Sequence, residues 1–300
     1  MSQFGVAGLQ LTLQLSGNFD LIEDEIRRTK ARMPWIGMIV LSELCTFGTA
    51  AAHAQPMPGE AEERYRCIAR ETKTWLVNGS MLERSGETIH NTTSVIAPEG
   101  EIVGRYRKAY PWFPYECVTP GEGYLVFEVP GAGRFGISNC YDMWFPETVR
   151  TLIWQGAEVI LHPSLTNTID RGAEQAMARA HAAMNQCYFV DVNAAGEQGV
   201  GQSGIYGPGG EVIHAAGPGR EIMVAELDFD YLRRVRRTGW HGLGQTLKSF
   251  RDAPRQFPPY REGERSPFLD ELGPLEKPPA FAPHAADGPL TAAAETRNAG

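Results

Sequence analysis

The sequence predicts a mixed α/β protein in which two β-sheets are covered by outer helices. Three observations favour this class: β-rich apolar runs alternate with longer helical runs, two similar hairpins lie far apart, and 42% of the 300 residues are hydrophobic. Such alternation suits layers of sheet and helix better than an all-β barrel or a helical bundle. A chain of this length and apolar content can bury one large core.

The first elements follow from hydrophobic periodicity. "FGVAGLQLTL" predicts a first strand, and "NFDLIEDEIRRTKARM" predicts a helix capped by Asn18 or Asp20. "IGMIVLSE" predicts a buried second strand, residues 59–72 a second helix, and "TWLVNGSML" a third strand. A hairpin is expected at residues 91–107, because two β-rich arms flank the Pro-Glu-Gly turn at 98–100.

The second half repeats this alternation. Strands are predicted at residues 133–139, at "AEVILHPS" and at "CYFVDVNAA". Helices are predicted between them, at residues 146–156 and 172–186. A second hairpin, "SGIYGPGGEVIHA", follows at 203–215. Two hairpins of one kind indicate two related halves.

The composition changes after about residue 252. We predict that residues 1–252 form one domain and that the proline- and alanine-rich residues 253–300 form an extension. This extension is expected to be extended, and either partly disordered or packed on a neighbouring subunit.

Charge and cysteine content exclude several function classes. A formal net charge of −8 argues against a nucleic-acid partner. The amino terminus lacks a basic start and a cleavage site, and no apolar run approaches the ~18 residues that span a bilayer. Five cysteines without a CxxC pair indicate neither a disulfide framework nor a zinc site. We predict a cytoplasmic protein with no membrane partner, no metal and no cofactor.

Three strand-like runs end at an ionisable side chain. Glu43 lies in "IVLSELCTFG", Lys108 in "GRYRKAYPWFPYE" and Cys140 in "GISNCYDMWFPE". Loops at strand ends commonly carry catalytic groups. Each residue alone has an ordinary explanation, such as a solvated lysine or a cysteine that fills core space. The combination of the three is what predicts chemistry.

These stretches, in this order and spacing, resemble the nitrilase superfamily of carbon–nitrogen hydrolases over residues 4–236. Glu43, Lys108 and Cys140 match the family's glutamate, lysine and cysteine, and Glu116 matches a second glutamate beside the lysine. The resemblance implies a four-layer αββα sandwich. It also implies a homodimer or a higher homo-oligomer.

The resemblance further implies amide hydrolysis through a cysteine thioester. Cys140 would attack the carbonyl carbon, and Glu43 would carry the proton. Lys108 and the backbone N–H of Tyr141 would stabilise the oxyanion, while Glu116 orients Lys108. This chemistry needs no metal.

The segment "CYDMWFPE" bears on the substrate. Relatives that hydrolyse N-carbamoyl amino acids usually carry an arginine here, whereas this chain has Met143 and Trp144, which cannot form a bidentate ion pair with a carboxylate. We therefore expect a neutral carboxamide as substrate, with Trp144, Met143 and Ser164 as contacts. Asn139 departs from the family by replacing an apolar residue before the cysteine, and we expect it to alter local hydrogen bonding.

Several alternatives stay open from the sequence. A nitrilase or an N-carbamoyl amide hydrolase would use the same residues, and an acyltransferase would pass the thioester to an amine. A non-catalytic, partner-binding protein is the alternative of a different class, which the intact set of site residues disfavours.

Overall fold

The chain folds into four layers, in the order helix, sheet, sheet, helix. The structure is a computed structural model that describes residues 3–253 and 255–277. Its strands are β1 (Gln3–Gln10), β2 (Thr12–Leu13), β3 (Ile36–Val40), β4 (Trp75–Val77), β5 (Met81–Ser85), β6 (Thr88–Ile96), β7 (Ile102–Arg107), β8 (Leu125–Val129), β9 (Gly133–Ile137), β10 (Val159–Ser164), β11 (Tyr188–Asn193), β12 (Ala195–Gly196), β13 (Gly204–Tyr206), β14 (Val212–Ala215) and β15 (Glu221–Asp228). Its α-helices are α1 (Phe19–Arg32), α2 (Glu60–Thr72), α3 (Pro146–Trp154), α4 (Arg171–Asn185), α5 (Phe229–Thr238), α6 (Thr246–Asp252) and α7 (Pro267–Asp270).

Two large sheets form the inner layers. The first has the strand order β15-β1-β3-β4-β6-β5, with β7 beside β6, and the second has the order β14-β13-β11-β10-β9-β8. Parallel pairs occupy the centre of each sheet, because β3 runs parallel to β1 and β4, and β10 runs parallel to β9 and β11. Strands β2 and β12 form a separate small pair.

Three apolar cores hold the layers together. The central core lies between the sheets, around side chains such as Phe135. An outer core lies where α1 and α2 cover the first sheet, with Ile22 and Ile68 buried there, and another lies under α3 and α4, with Leu152 and Ala178. Because each sheet is covered on both faces, its central strands are continuous apolar runs rather than alternating ones. The predicted four-layer αββα sandwich is confirmed.

The two predicted hairpins are confirmed as β6–β7 and β13–β14. The third predicted strand differs, because "TWLVNGSML" forms both β4 and the start of β5. Gly79 separates them with a φ of +74°, and a Cβ there would lie 1.8 Å from the carbonyl oxygen of Ser42. Only glycine fits this left-handed turn without strain or collision.

The extension continues beyond α6. Residues 255–277 are exposed except for Lys277, and the Tyr260 hydroxyl donates a hydrogen bond to Glu147 at 2.8 Å. Lys277 lies 5.5 Å from the ring centroid of Tyr115, in the loop that follows Lys108. Pro254 and residues 278–300 lie outside the described residues, so the predicted state of the extension stays a prediction there. No helix within the described ranges has the length and apolar character needed to cross a membrane.

Candidate active site

Glu43 lies where the carboxyl ends of two central strands meet. It follows β3 of the first sheet, and its backbone N–H donates to the carbonyl oxygen of Ser164, the last residue of β10, at 3.1 Å. This bond joins one sheet to the other at their parallel ends, where loops gather functional side chains. The Glu43 side chain is therefore fixed between the two sheets, with the residue only 3% exposed.

Lys108 is buried beside two carboxylates. It follows β7, and its backbone N–H donates to the carbonyl oxygen of Asn91 on β6 at 2.8 Å. Its Nζ lies 2.8 Å from Glu43 Oε1 and 2.7 Å from Glu116 Oε2. The structure thus brings three of the predicted residues into one charged cluster, in which the lysine is shared by both glutamates.

The two glutamates have different electrostatic surroundings. Burial raises the pKa of Glu43, and the Lys108 ammonium offsets this only in part. Burial alone would also raise the pKa of Glu116, but the Lys108 charge and hydrogen bonds outweigh it and hold the pKa below its usual value. Glu116 is therefore the permanent counter-charge, whereas Glu43 can take up a proton. A pair of carboxyl groups with separated pKa values is a common arrangement for acid–base chemistry.

Lys108 stays charged in this cluster. Burial alone would lower the pKa of Lys108, but the charges of Glu116 and Glu43 raise it well above its ordinary value. A permanently charged ammonium can stabilise negative charge that develops nearby.

Cys140 lies just beyond β9, at the start of a short 3-10 helix that spans Cys140–Trp144. Its φ of 48° is left-handed, a conformation that residues other than glycine rarely adopt and that often marks functional sites. Burial and the nearby Glu43 charge raise the pKa of the Cys140 thiol well above its ordinary value. The thiol therefore needs a base before it can react. Its Sγ lies 3.9 Å from the carbonyl oxygen of Leu165, and the charge of the Glu43 carboxylate acts on it.

Aromatic side chains lie around the short helix that carries Cys140. The rings of Tyr110 and Phe145 stack with centroids 3.8 Å apart, and the Tyr141 ring meets Phe145 edge-on at 5.4 Å. Trp144 lies 6.1 Å from Tyr141 and is 38% exposed. Tyr141 follows Cys140 directly in the short helix. A cluster of aromatic rings therefore packs around the short helix that carries Cys140.

The other two residues predicted to contact the substrate, Ser164 and Met143, lie in different parts of the fold. Ser164 is fully buried, and its Oγ lies 3.3 Å from Thr166 Oγ1 next to the site. Met143 is also fully buried, but it packs in the outer core under α3 and α4. The structure does not bring Met143 to the site, because its side chain packs with residues of α3 and α4.

Sequence reasoning missed Asn91. Its Nδ2 donates to Glu43 Oε1 at 2.8 Å and to Glu116 Oε1 at 2.7 Å. The only signal in the sequence is a polar residue in the β-rich arm of the first hairpin, which is ordinary for a strand. No group of three or more His, Cys, Asp or Glu side chains in the described part of the chain is arranged to hold a metal ion.

The sequence profile of carbon–nitrogen hydrolases matches residues 4–237, which is most of the chain. The chain belongs to the carbon–nitrogen hydrolase family. The predicted resemblance is thereby confirmed.

This carbon–nitrogen hydrolase is similar to curated amidases. It is 29% identical over 200 residues to the omega-amidase NIT2 of Xenopus tropicalis, covering 61% of this chain and 72% of the relative. It is 30% identical over 208 residues to the human deaminated glutathione amidase, covering 61% of this chain and 63% of the relative.

Solved structures share its fold. Nit3 of Saccharomyces cerevisiae, a member of branch 10 of the nitrilase superfamily, aligns with a TM-score of 0.72 and 25% identity over 78% of this chain and 93% of that chain. A variant amidase from Nesterenkonia sp. AN1 in complex with butyramide aligns with a TM-score of 0.68 and 26% identity over 78% of this chain and 94% of that chain.

Proposed function

We propose that this carbon–nitrogen hydrolase converts a small neutral carboxamide into a carboxylic acid and ammonia. The observation that carries the proposal is the ammonium of Lys108, shared by Glu43 at 2.8 Å and Glu116 at 2.7 Å, with the Glu43 and Lys108 charges both acting on the Cys140 thiol. The amidase names of the relatives support an amide as the substrate. The butyramide complex of a structural neighbour supports a small neutral one.

The proposed reaction begins with attack by the Cys140 sulfur on the amide carbon. Glu43 accepts the thiol proton as the S–C bond forms, and the carbonyl oxygen becomes an oxyanion. Lys108 and the backbone N–H of Tyr141 stabilise that oxyanion, a contribution of about 10²–10³-fold in turnover for one such donor. The C–N bond then breaks as Glu43 delivers its proton to the leaving nitrogen, which releases ammonia and leaves a thioester.

Water completes the cycle. Glu43 removes a proton from a water molecule that attacks the thioester carbon, and a second oxyanion forms at the same position. The C–S bond breaks, the carboxylic acid leaves, and the proton returns to the Cys140 sulfur. Glu116 takes no part in bond making, since its low pKa keeps it charged as the partner of Lys108.

The charges around the site support a neutral substrate. Lys108 is already paired with two carboxylates, and the buried Arg171 is paired with Glu174 and Asp191. A substrate carboxylate would have to compete for these cations, and an unpaired buried charge costs several kcal/mol. The cluster of aromatic rings formed by Tyr110, Tyr141 and Phe145 around the short helix favours an uncharged, apolar acyl group instead.

We further propose a cytoplasmic homodimer built from a domain of residues 1–252. The cysteines at 45, 67, 117, 140 and 187 are free, which suits a reducing compartment. Trp154 on α3 is 74% exposed and meets Phe250 edge-on, so this helix presents a large apolar side chain that a second copy would bury.

A matched substrate panel tests the proposed activity. Purified protein is incubated with butyramide, butyronitrile and an N-carbamoyl amino acid of similar size, while ammonia release and acyl-enzyme mass are followed. We expect the highest kcat/KM for the amide and an adduct on Cys140 that is absent from the Cys140→Ala variant. A higher value for the N-carbamoyl acid would overturn the neutral-substrate proposal, and normal turnover by Cys140→Ala would overturn the mechanism.

A further inference from the structure

Asn91 contacts every segment that carries a proposed catalytic residue. Its carbonyl oxygen accepts from the backbone N–H of Lys108 at 2.8 Å, and its Nδ2 donates to Glu43 Oε1 at 2.8 Å and Glu116 Oε1 at 2.7 Å. Its Oδ1 accepts from Asn139 Nδ2, next to Cys140, at 3.2 Å. Asn91 is fully buried on β6, so water does not compete for these bonds.

The orientation of the Asn91 amide is determined by its neighbours. Both Nδ2 hydrogens point at carboxylate oxygens, which can only accept. A flipped amide would place Oδ1 against those two oxygens and would leave the Asn139 donor facing another donor. The two carboxylates therefore select one orientation, and all the hydrogen-bonding capacity of Nδ2 is used.

This arrangement distinguishes the two oxygens of the proposed base. Glu43 Oε1 receives both the Lys108 ammonium at 2.8 Å and the Asn91 amide at 2.8 Å. Oε2 is then the oxygen left to accept the proton of the Cys140 thiol. Two donors on one oxygen also fix the rotation of the carboxylate, and small errors in the position of a reacting group can cost about 10²-fold in rate.

We propose that Asn91, held in place by Asn139, is a positioning residue that aligns the Glu43 carboxylate for proton transfer with Cys140. The proposal rests on the proposed function in that it takes Glu43 as the base. It assigns to Asn139 the task of fixing the Asn91 amide, which an apolar residue at that position could not perform.

Four variants separate positioning from packing. Asn91→Leu removes the donors while keeping a similar volume, and Asn91→Asp keeps the shape but replaces the donor with an oxygen. Asn139→Leu removes the bond to Asn91 and leaves both Asn91 donors in place. The control is Asn185→Leu, because Asn185 is a buried asparagine on α4 whose Nδ2 donates to the carbonyl oxygen of His181 at 3.0 Å, away from the site.

Two readouts are measured across pH for each folded variant. The first is kcat and KM with butyramide. The second is the rate at which methyl vinyl sulfone, a neutral reagent without an amide group, alkylates Cys140, followed by mass spectrometry of its peptide because Cys67 and Cys117 are exposed. Alkylation reports loss of the thiol proton without any amide substrate, so it tests the positioning proposal separately from the proposed function.

We expect Asn91→Leu to lower kcat by about 10²-fold while KM changes by less than about 3-fold, because alignment of the base is lost rather than binding. Loss of a hydrogen bond to a carboxylate favours its protonated form, so the acid limb of both profiles should move to higher pH. Asn91→Asp should lower kcat at least as much, because it adds a third carboxylate beside Glu43 and Glu116. Asn139→Leu should move the same limb by a smaller amount, and Asn185→Leu should leave both profiles in place.

Wild-type pH profiles in Asn91→Leu, or in Asn139→Leu if the former does not fold, would overturn the positioning proposal. If wild-type protein fails to hydrolyse butyramide but the alkylation profile still shifts in these variants, the substrate proposal fails and the positioning proposal stands.

Discussion

The phenol of Tyr106 donates a hydrogen bond to Asp142 Oδ2 at 2.7 Å, and this bond joins the strand before Lys108 to the turn that carries Cys140. Asp142 also accepts from the backbone N–H groups of Asn139 at 2.8 Å and Tyr110 at 2.9 Å. One carboxylate thus holds together the two segments that supply the proposed nucleophile and the proposed oxyanion donor. Burial raises the pKa of Asp142 from 3.8 to about 6.

Tyr106→Phe should destabilise the protein in a pH-dependent manner. Since the folded pKa of Asp142 lies above its ordinary value, charging this buried carboxylate costs stability as pH rises from about 4 to about 6. Above that range the carboxylate needs its donors, and removal of the phenol should cost about 1–3 kcal/mol in the free energy of unfolding. The cost should be smaller at about pH 5, where Asp142 is mostly protonated.

Urea unfolding of Tyr106→Phe at about pH 5 and about pH 8 measures this difference. Tyr65→Phe is the matched control, because the buried Tyr65 hydroxyl pairs with the neutral hydroxyl of Thr46 at 2.7 Å. The control should lose the same free energy at both pH values. If Tyr106→Phe lost the same free energy of unfolding at both pH values, the hydrogen bond from Tyr106 would not depend on the charge of Asp142.

Lys108→Met should be strongly destabilising. It leaves the buried carboxylates of Glu43 and Glu116 without their counter-charge, and breaking a buried ion pair from one side typically costs about 3–5 kcal/mol. Adding Glu116→Gln to Lys108→Met removes one of the two unpaired carboxylates. The double variant should therefore recover part of the lost free energy of unfolding. Denaturant unfolding of both variants checks this, and a double variant no more stable than the single one would show that the charges are not coupled.

Glu43→Gln and Glu116→Gln should affect turnover differently. Glu43→Gln removes the proposed proton carrier, and we expect kcat to fall by about 10²–10⁴-fold. Glu116→Gln keeps that carrier and should reduce kcat less. It also removes a negative charge that raises the pKa of Glu43, so the acid limb of the remaining activity should move to lower pH. If both variants lost the same factor in kcat and the acid limb of Glu116→Gln did not shift, Glu43 and Glu116 would not have separate roles.

The four-layer fold could be predicted because its signals are local. Apolar runs, hairpin turns and strand-end residues such as Glu43 and Lys108 are readable in short windows of sequence. The contacts of Asn91 could not be predicted in this way, because they join β6 to three other segments that only the fold brings together. The left-handed backbone at Cys140 and the burial of Met143 under α3 and α4 could not be predicted either, because no periodicity reveals them.

Assembly should depend on the apolar face of α3. Trp154 is 74% exposed, and light scattering should show at least a dimer that Trp154→Glu shifts toward monomer, because a charge in an apolar interface loses its hydration. Trp35→Glu is the control, since Trp35 is 52% exposed but lies before β3, outside that face. A wild-type monomer with full activity would contradict the proposed dimer.

Gly79→Ala should displace Glu43 through the backbone alone. The added Cβ would lie 1.8 Å from the carbonyl oxygen of Ser42, the residue before Glu43, so one of the two segments must move. Gly86→Ala is the matched control, because Gly86 also has a positive φ, of 60°, but nothing lies within 4 Å of its added Cβ. Both variants should lose about 1–2 kcal/mol from the left-handed conformation, and Gly79→Ala should lose more from the collision. Only Gly79→Ala should also lower kcat, since it alone moves the proposed base. If the two variants had equal kcat and equal stability, the turn at Gly79 would not be what positions Glu43.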